Sequence, residues 1–285
     1  MLKARNFIGI VGLSFAIVAT PALADSDVYG PYPVTVKGYN GKKTNSVAYS
    51  GQIARHVLHD SLKKLASKGN GKPNAELKAK MMSYFKGKDK GRKIIAPKTK
   101  GPYGIKQTTI DEISKKKNIA GKTFKGSITG MPGNMTGPEL VAFWIDKASS
   151  AEKGVDYVNG YDYGQLISKF IMGAMMYNQA VDNYLDEKLG AGKKPNDKPY
   201  KKGKHYTGKE HSWDEGFGYF GAPAHALKLT PRQVYEIAKK GKKSKPKKNA
   251  LMFADYNKDG KVDLKSEHTF GPAYYAAGFD ASVYG

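Results

Sequence analysis

Apolar side chains recur three and four positions apart through most of the span from Tyr49 to about residue 240, and no strongly alternating stretch interrupts them. That period gathers them on one face of a helix. The fold class expected is therefore all-α: a helical bundle with long Lys- and Gly-rich loops. Tyr49, Ile53, Val57, Leu58, Leu62 and Leu65 make the first face, which Gly69 ends. Ala75–Phe85 makes a second through Leu77, Met81, Met82 and Phe85, and a weaker helix is expected over Ile105–Ile119. Thr136-Gly-Pro-Glu139 has the form of a capping box with Pro in the first turn, opening a helix that carries Leu140, Phe143, Trp144 and Ala148. The longest face runs from Tyr163 through Ile167, Phe170, Ile171, Met175, Val181, Tyr184 and Leu185 to Gly190. Helices are also expected over His211–Phe220 and after Thr230-Pro-Arg-Gln233, a second capping box.

Ahead of this region the chain reads differently. Lys3 and Arg5 precede an uncharged, apolar run over Phe7–Ala19, then Pro21 and the small–x–small triplet Ala22-Leu23-Ala24. This is the pattern of a secretory signal peptide spanning 1–24, and the run is short of the ~20 residues that cross a bilayer. The expectation is a periplasmic or secreted protein starting at Asp25, with no transmembrane segment in the mature chain. Residues 25–48, rich in Gly, Tyr and Pro, form an extended lead-in to a helical domain over 49–285. No Cys is present, so an exported chain of this composition must be held by packing or by bound metal.

Losing Lys3 and Arg5 lowers the formal charge from +23 to +21. Charge of this size attracts anionic polymers, yet after Arg5 the only arginines are Arg55, Arg92 and Arg232. Specific phosphate recognition favours the guanidinium fork. The lysines fall between apolar segments, at 86–100, 115–125, 193–204 and 239–248. They read as a solvated surface that could attract anionic cell-surface polymers without specific nucleic-acid recognition.

The sharpest chemistry is near the C-terminus, at Asp255-Tyr-Asn257-Lys-Asp259-Gly260-Lys261-Val262-Asp263. Calcium takes hard oxygens at alternate positions one, three and five around a bend made by Gly at six, a backbone carbonyl at seven, and an oxygen at nine. Over roughly a dozen residues the segment resembles the EF-hand calcium loop. The resemblance implies Asp255, Asn257, Asp259, the Lys261 carbonyl and Asp263 as ligands. Ser266 holds position twelve, and the acid expected there arrives one residue late as Glu267.

Glu210-His211-Ser-Trp213-Asp214-Glu215-Gly-Phe217-Gly-Tyr219-Phe220 is the other unusual stretch. As a helix it would set His211, Asp214 and Glu215 on one side, either as a half-site for iron, manganese or zinc, as an acid/base pair, or as an ion-paired histidine. His56, His59 and Asp60 on the first helix offer a complement. This motif, the Tyr49-Ser-Gly-Gln52 start with Arg55, and the Asp-rich loop leading into Tyr274-Tyr275 resemble the imelysin-like exported bacterial proteins. Their signature is Gly-x-His-x-x-Glu. Here His211 matches it, Asp214 stands in the Glu position with Glu215 beside it, and Lys209 replaces the Gly. The resemblance implies a helical bundle, an envelope role and an association with iron.

The sequence carries no His-Glu-x-x-His, no Gly-x-Ser-x-Gly and no catalytic Cys. The expected function is thus a calcium-binding, non-enzymatic envelope protein with a second metal or ligand site at His211. Polyanion adhesion through the lysines, or hydrolysis by His211 with Asp214 or Glu215, are the alternatives.

Overall fold

Eleven of the seventeen residues of the first helix, α1 (Ser50–Ala66), are buried, so this helix lies at the centre of the protein rather than on its flank. The computed structural model describes residues 27–99, 103–190, 192–239 and 247–283. The expected signal peptide, residues 1–24, lies outside the described residues. The architecture is all-α, as the periodicity requires. α2 (Ala75–Phe85), α4 (Gly137–Ser150), α5 (Tyr163–Ile171) and α6 (Gly208–Phe220) surround α1, with the short α3 (Ile110–Ile113) beneath it. Val57, Leu58 and Leu62 from α1 meet Met81 and Phe85, Ile145, Ile167 and Tyr219 in one core. Burying side chains of this size contributes on the order of 2 kcal/mol each before entropy is counted. Among the described residues no helix is long and apolar enough to cross a membrane.

Helix starts follow the capping chemistry. At α4, Glu139 accepts the Thr136 amide at 2.9 Å. α7 (Pro231–Lys239) starts with reciprocal bonds, Thr230 amide to Gln233 at 2.8 Å and Gln233 amide to the Thr230 hydroxyl at 3.2 Å. A further box, Thr207 with Glu210, starts α6 three residues before His211.

Two expectations need correction. The long face from Tyr163 does not continue with one winding: after α5 the chain passes into a π-helix over Met172–Asp186. Its hydrogen bonds reach five residues back, so the turn widens beyond 3.6 residues. Met175, Ala180 and Tyr184, five and four apart, are buried, whereas Val181 and Leu185 are exposed. The second correction concerns Ile105–Ile119, where only α3 is helical. Gly104–Ile105 forms β1 instead, parallel to β4 (Lys261–Val262), with β2 (Val155–Asp156) and β3 (Tyr161–Asp162) making a separate hairpin. Glu112 takes the Thr108 amide at 3.0 Å and its hydroxyl at 2.8 Å, and Ser114 is extended, ending α3 after one turn.

The lead-in over 27–48 is irregular, as expected, and its Tyr29 ring stacks on Phe217 at 3.7 Å. Two of the arginines fix loops. Arg92 donates to the carbonyls of Ser83, Gly87 and Lys117, and Arg55 to those of Asn118 and Gly51. A smaller core of Ile237, Leu251, Ala254 and Val262 joins α7 to the Asp-rich loop, and α8 (Gly271–Val283) lies against α7.

Candidate functional site

The Asp-rich loop turns sharply because Lys258 and Gly260 both adopt positive φ, 59° and 77°. Val262 is fully buried in the smaller core, which anchors the turn to the fold. Asp255 accepts the amides of Asp259 at 3.0 Å and Gly260 at 2.9 Å. Asn257 accepts the Asp259 amide at 2.9 Å, and Asp259 accepts that of Lys261 at 3.0 Å. Glu267, although one residue late, turns back into the loop. Its carboxylate takes the amides of Tyr256 at 3.1 Å, Asn257 at 3.3 Å and Asp263 at 2.7 Å, closing the loop at both ends. Burial pushes the Glu267 carboxyl up, against the pull of those amides.

Two neighbours without any signature in the sequence complete the loop. Gln107 donates to Asp263 at 2.7 Å and accepts the Leu264 amide at 3.0 Å. The Lys106 ammonium lies 3.3 Å from Asp259 and 4.0 Å from Asp263. Among the described residues no three His, Asp or Glu side chains are drawn together as metal ligands. Each ionised carboxylate has about four acceptor positions, so those turned to amides retain others for an ion. Hard oxygens from four acids and one amide fit calcium rather than a softer metal.

The His211 segment divides. His211 Nε2 is 3.8 Å from Glu215 Oε2, as i,i+4 spacing allows. Asp214 goes elsewhere: it accepts the Tyr29 hydroxyl at 2.6 Å and the Ala48 amide at 2.7 Å. His211 sits between the rings of Tyr200 and Tyr206, at 4.7 and 4.6 Å. Burial lowers its pKa; Glu215 opposes this, and Lys204, Lys122 and Lys117 add to it. Such a field disfavours a second cation here. His56 does not face this segment's carboxylates but bonds the Gly218 carbonyl at 3.0 Å, and burial lowers its pKa to about 4.

His59 and Asp60, one turn along α1 from His56, line a cavity of about 400 Å³ between α1, α5, α7 and α8. His59 Nδ1 is 3.1 Å from Asp60 Oδ1, and its Nε2 is 3.0 Å from Ser168 Oγ. No local pattern betrays Ser168, the one serine on a largely apolar helix, 109 residues from its partner.

Comparison with the curated proteins and with the solved structures gives no match. Over residues 39–244, however, the chain matches one family along well over half its length, and it belongs to that family, described as Domain of unknown function (DUF4856).

Proposed function

We propose that the chain is an exported calcium-binding protein of the cell envelope, in which Asp255, Asn257, Asp259, the Lys261 carbonyl, Asp263 and Glu267 hold the ion. The observation that carries this reading is the inward turn of Glu267, which restores an acid to the loop's closing position despite the offset in sequence. The loop lies beyond residues 39–244, which the family match covers. Its role is structural. β4 pairs with β1, the Ser266 carbonyl takes the Ala224 amide at 2.6 Å, and Phe270 donates to Gly221 at 2.7 Å, so an ion in the loop would fix α8 and the 103–109 segment together. Extracellular calcium sites work at about 10⁻⁴–10⁻³ M, which suits an exported loop with an offset final ligand.

The test is thermal unfolding of the full chain and of Asp259→Ala, each with calcium and with chelator. Calcium should raise the Tm of the parent and leave the variant unmoved. A parent whose Tm ignores calcium would overturn the proposal. Iron at His211 draws less support, since the lysine field opposes it and Asp214 is engaged elsewhere. Attraction of the lysine surface for anionic polymers would show as binding that falls steeply with salt.

A further inference from the structure

We propose that the cavity between α1, α5, α7 and α8 is an acyl-hydrolase centre, with Ser168 as nucleophile, His59 as general base and Asp60 as the carboxylate that orients it. This activity goes beyond the calcium reading and is independent of it. The contacts run in series: Ser168 Oγ to His59 Nε2 at 3.0 Å, then His59 Nδ1 to Asp60 Oδ1 at 3.1 Å. All three residues line the cavity. Nucleophile, base and orienting acid in hydrogen-bond reach is the arrangement by which unrelated folds activate a hydroxyl, and it is recognised by geometry, not by sequence order.

The protonation pattern follows from Asp60. Burial acts to raise its carboxyl, but the bond to His59 and the nearby His268 and His56 rings hold it below the ordinary value. An ionised Asp60 accepts, so Nδ1 carries the proton and Nε2 presents its lone pair to the Ser168 hydroxyl. The Ser168 carbonyl lies 3.1 Å from the same nitrogen. Once the ring is protonated, that carbonyl is an acceptor for Nε2–H and stabilises the imidazolium. It sits just before the chain changes from α to π winding, a kind of irregularity common at functional sites.

A polar group without a use in the fold lies in the same cavity. Thr269 is 1 % exposed, and its hydroxyl has no hydrogen-bond partner among the described residues. Left without a partner, this hydroxyl is free to donate, and turned toward the cavity it would serve a developing oxyanion. Pro97, Met172 and Phe270 supply apolar wall, so the substrate class is a small carboxylic ester with an apolar acyl group.

In the first step Ser168 Oγ bonds to the ester carbonyl carbon while its proton passes to His59 Nε2. The tetrahedral adduct then expels the alcohol, which takes that proton, leaving acyl-Ser168. Water attacks the acyl carbon, giving its proton to the same nitrogen. Collapse releases the acid, and the proton returns to Ser168 Oγ. One ester and one water become one acid and one alcohol.

The test is reaction of the full chain with a fluorophosphonate probe, mapped by peptide mass spectrometry, alongside hydrolysis of p-nitrophenyl butyrate. The expected result is one adduct, on Ser168, with labelling and hydrolysis absent in Ser168→Ala and slowed ~100-fold in His59→Gln. Because the chain contains no Cys, Ser168→Cys places one thiol at the site while nearly preserving packing. Its alkylation by iodoacetamide at pH 6 should outrun free cysteine by at least ~10-fold, since a His-paired thiol is held as thiolate. A parent chain that takes no label, or takes it at another residue, overturns the proposal, and so does a Ser168→Cys variant alkylated no faster than free cysteine.

Discussion

Asp214 accepts the Tyr29 hydroxyl at 2.6 Å, and this bond ties the irregular lead-in to α6 across 185 positions of sequence. With the Ala48 amide at 2.7 Å on its other oxygen, the carboxylate serves as a structural clasp and is turned from His211. The acid that stands in the signature position of the resemblance is thus the one the fold uses to close itself.

The clasp has a measurable pH signature. Burial raises the Asp214 carboxyl from 3.8 to about 6, against the Tyr29 and Ala48 bonds, which lower it. A raised acid favours the protonated folded form, so its contribution is complete below the unfolded value and is lost as pH rises through about 6. The span corresponds to about 3 kcal/mol. Urea denaturation from pH 4 to 7 should therefore show the parent losing stability relative to Asp214→Asn, whose side chain does not ionise. Parallel curves for the two proteins would mean that Asp214 does not titrate with folding.

How far the sequence reveals this depends on the range of the interaction. α2 lies at Ala75–Phe85 as its apolar spacing requires, and α4 opens at its Thr136–Glu139 box, because both are decided within a turn or two. Ile105 reads as helix but is strand because its partner is Val262, and a strand of two residues leaves no alternation to see. The π-helix is hidden since Val181 and Leu185 fit a 3.6-residue period that the backbone abandons at Met172. The Asp-rich loop is legible residue by residue, for its acids and amide lie within one short segment, while Lys106 and Gln107 do not. Asp214 and Ser168 show the same limit: direction and partner are tertiary facts, set by residues 185 and 109 positions away.

Close approach of α6 to α1 depends on Gly218. A Cβ built there would lie 2.8 Å from the Cβ atoms of both Gln52 and Tyr49. Neither can swing aside, since a Cβ moves only with its backbone. Gly218→Ala should cost about 1–3 kcal/mol through overpacking. Gly173 is the control: it is exposed, helical and has nothing within 4 Å of the added methyl. Gly173→Ala should be neutral or stabilise by up to about 1 kcal/mol. Equal effects by calorimetry would mean that the α1–α6 contact is looser than these distances.

The position of Lys106 makes the most direct prediction about the proposed calcium site. Its ammonium, 3.3 Å from Asp259 and 4.0 Å from Asp263, neutralises part of the acidic cluster that a divalent ion would use. The Lys106 backbone amide donates separately to Val262 at 3.0 Å, so changing the side chain leaves the strand pairing intact. Lys106→Met keeps the aliphatic stem and removes the competing charge. Calcium affinity by titration calorimetry should then rise about two- to fivefold, with the gain shrinking at high salt as screening weakens the lysine's hold in the parent. Stability without calcium should fall slightly, because four acids lose a neighbouring cation. An affinity unchanged in Lys106→Met would show that the ion, if it binds, does not engage the Asp259 and Asp263 oxygens that face this lysine.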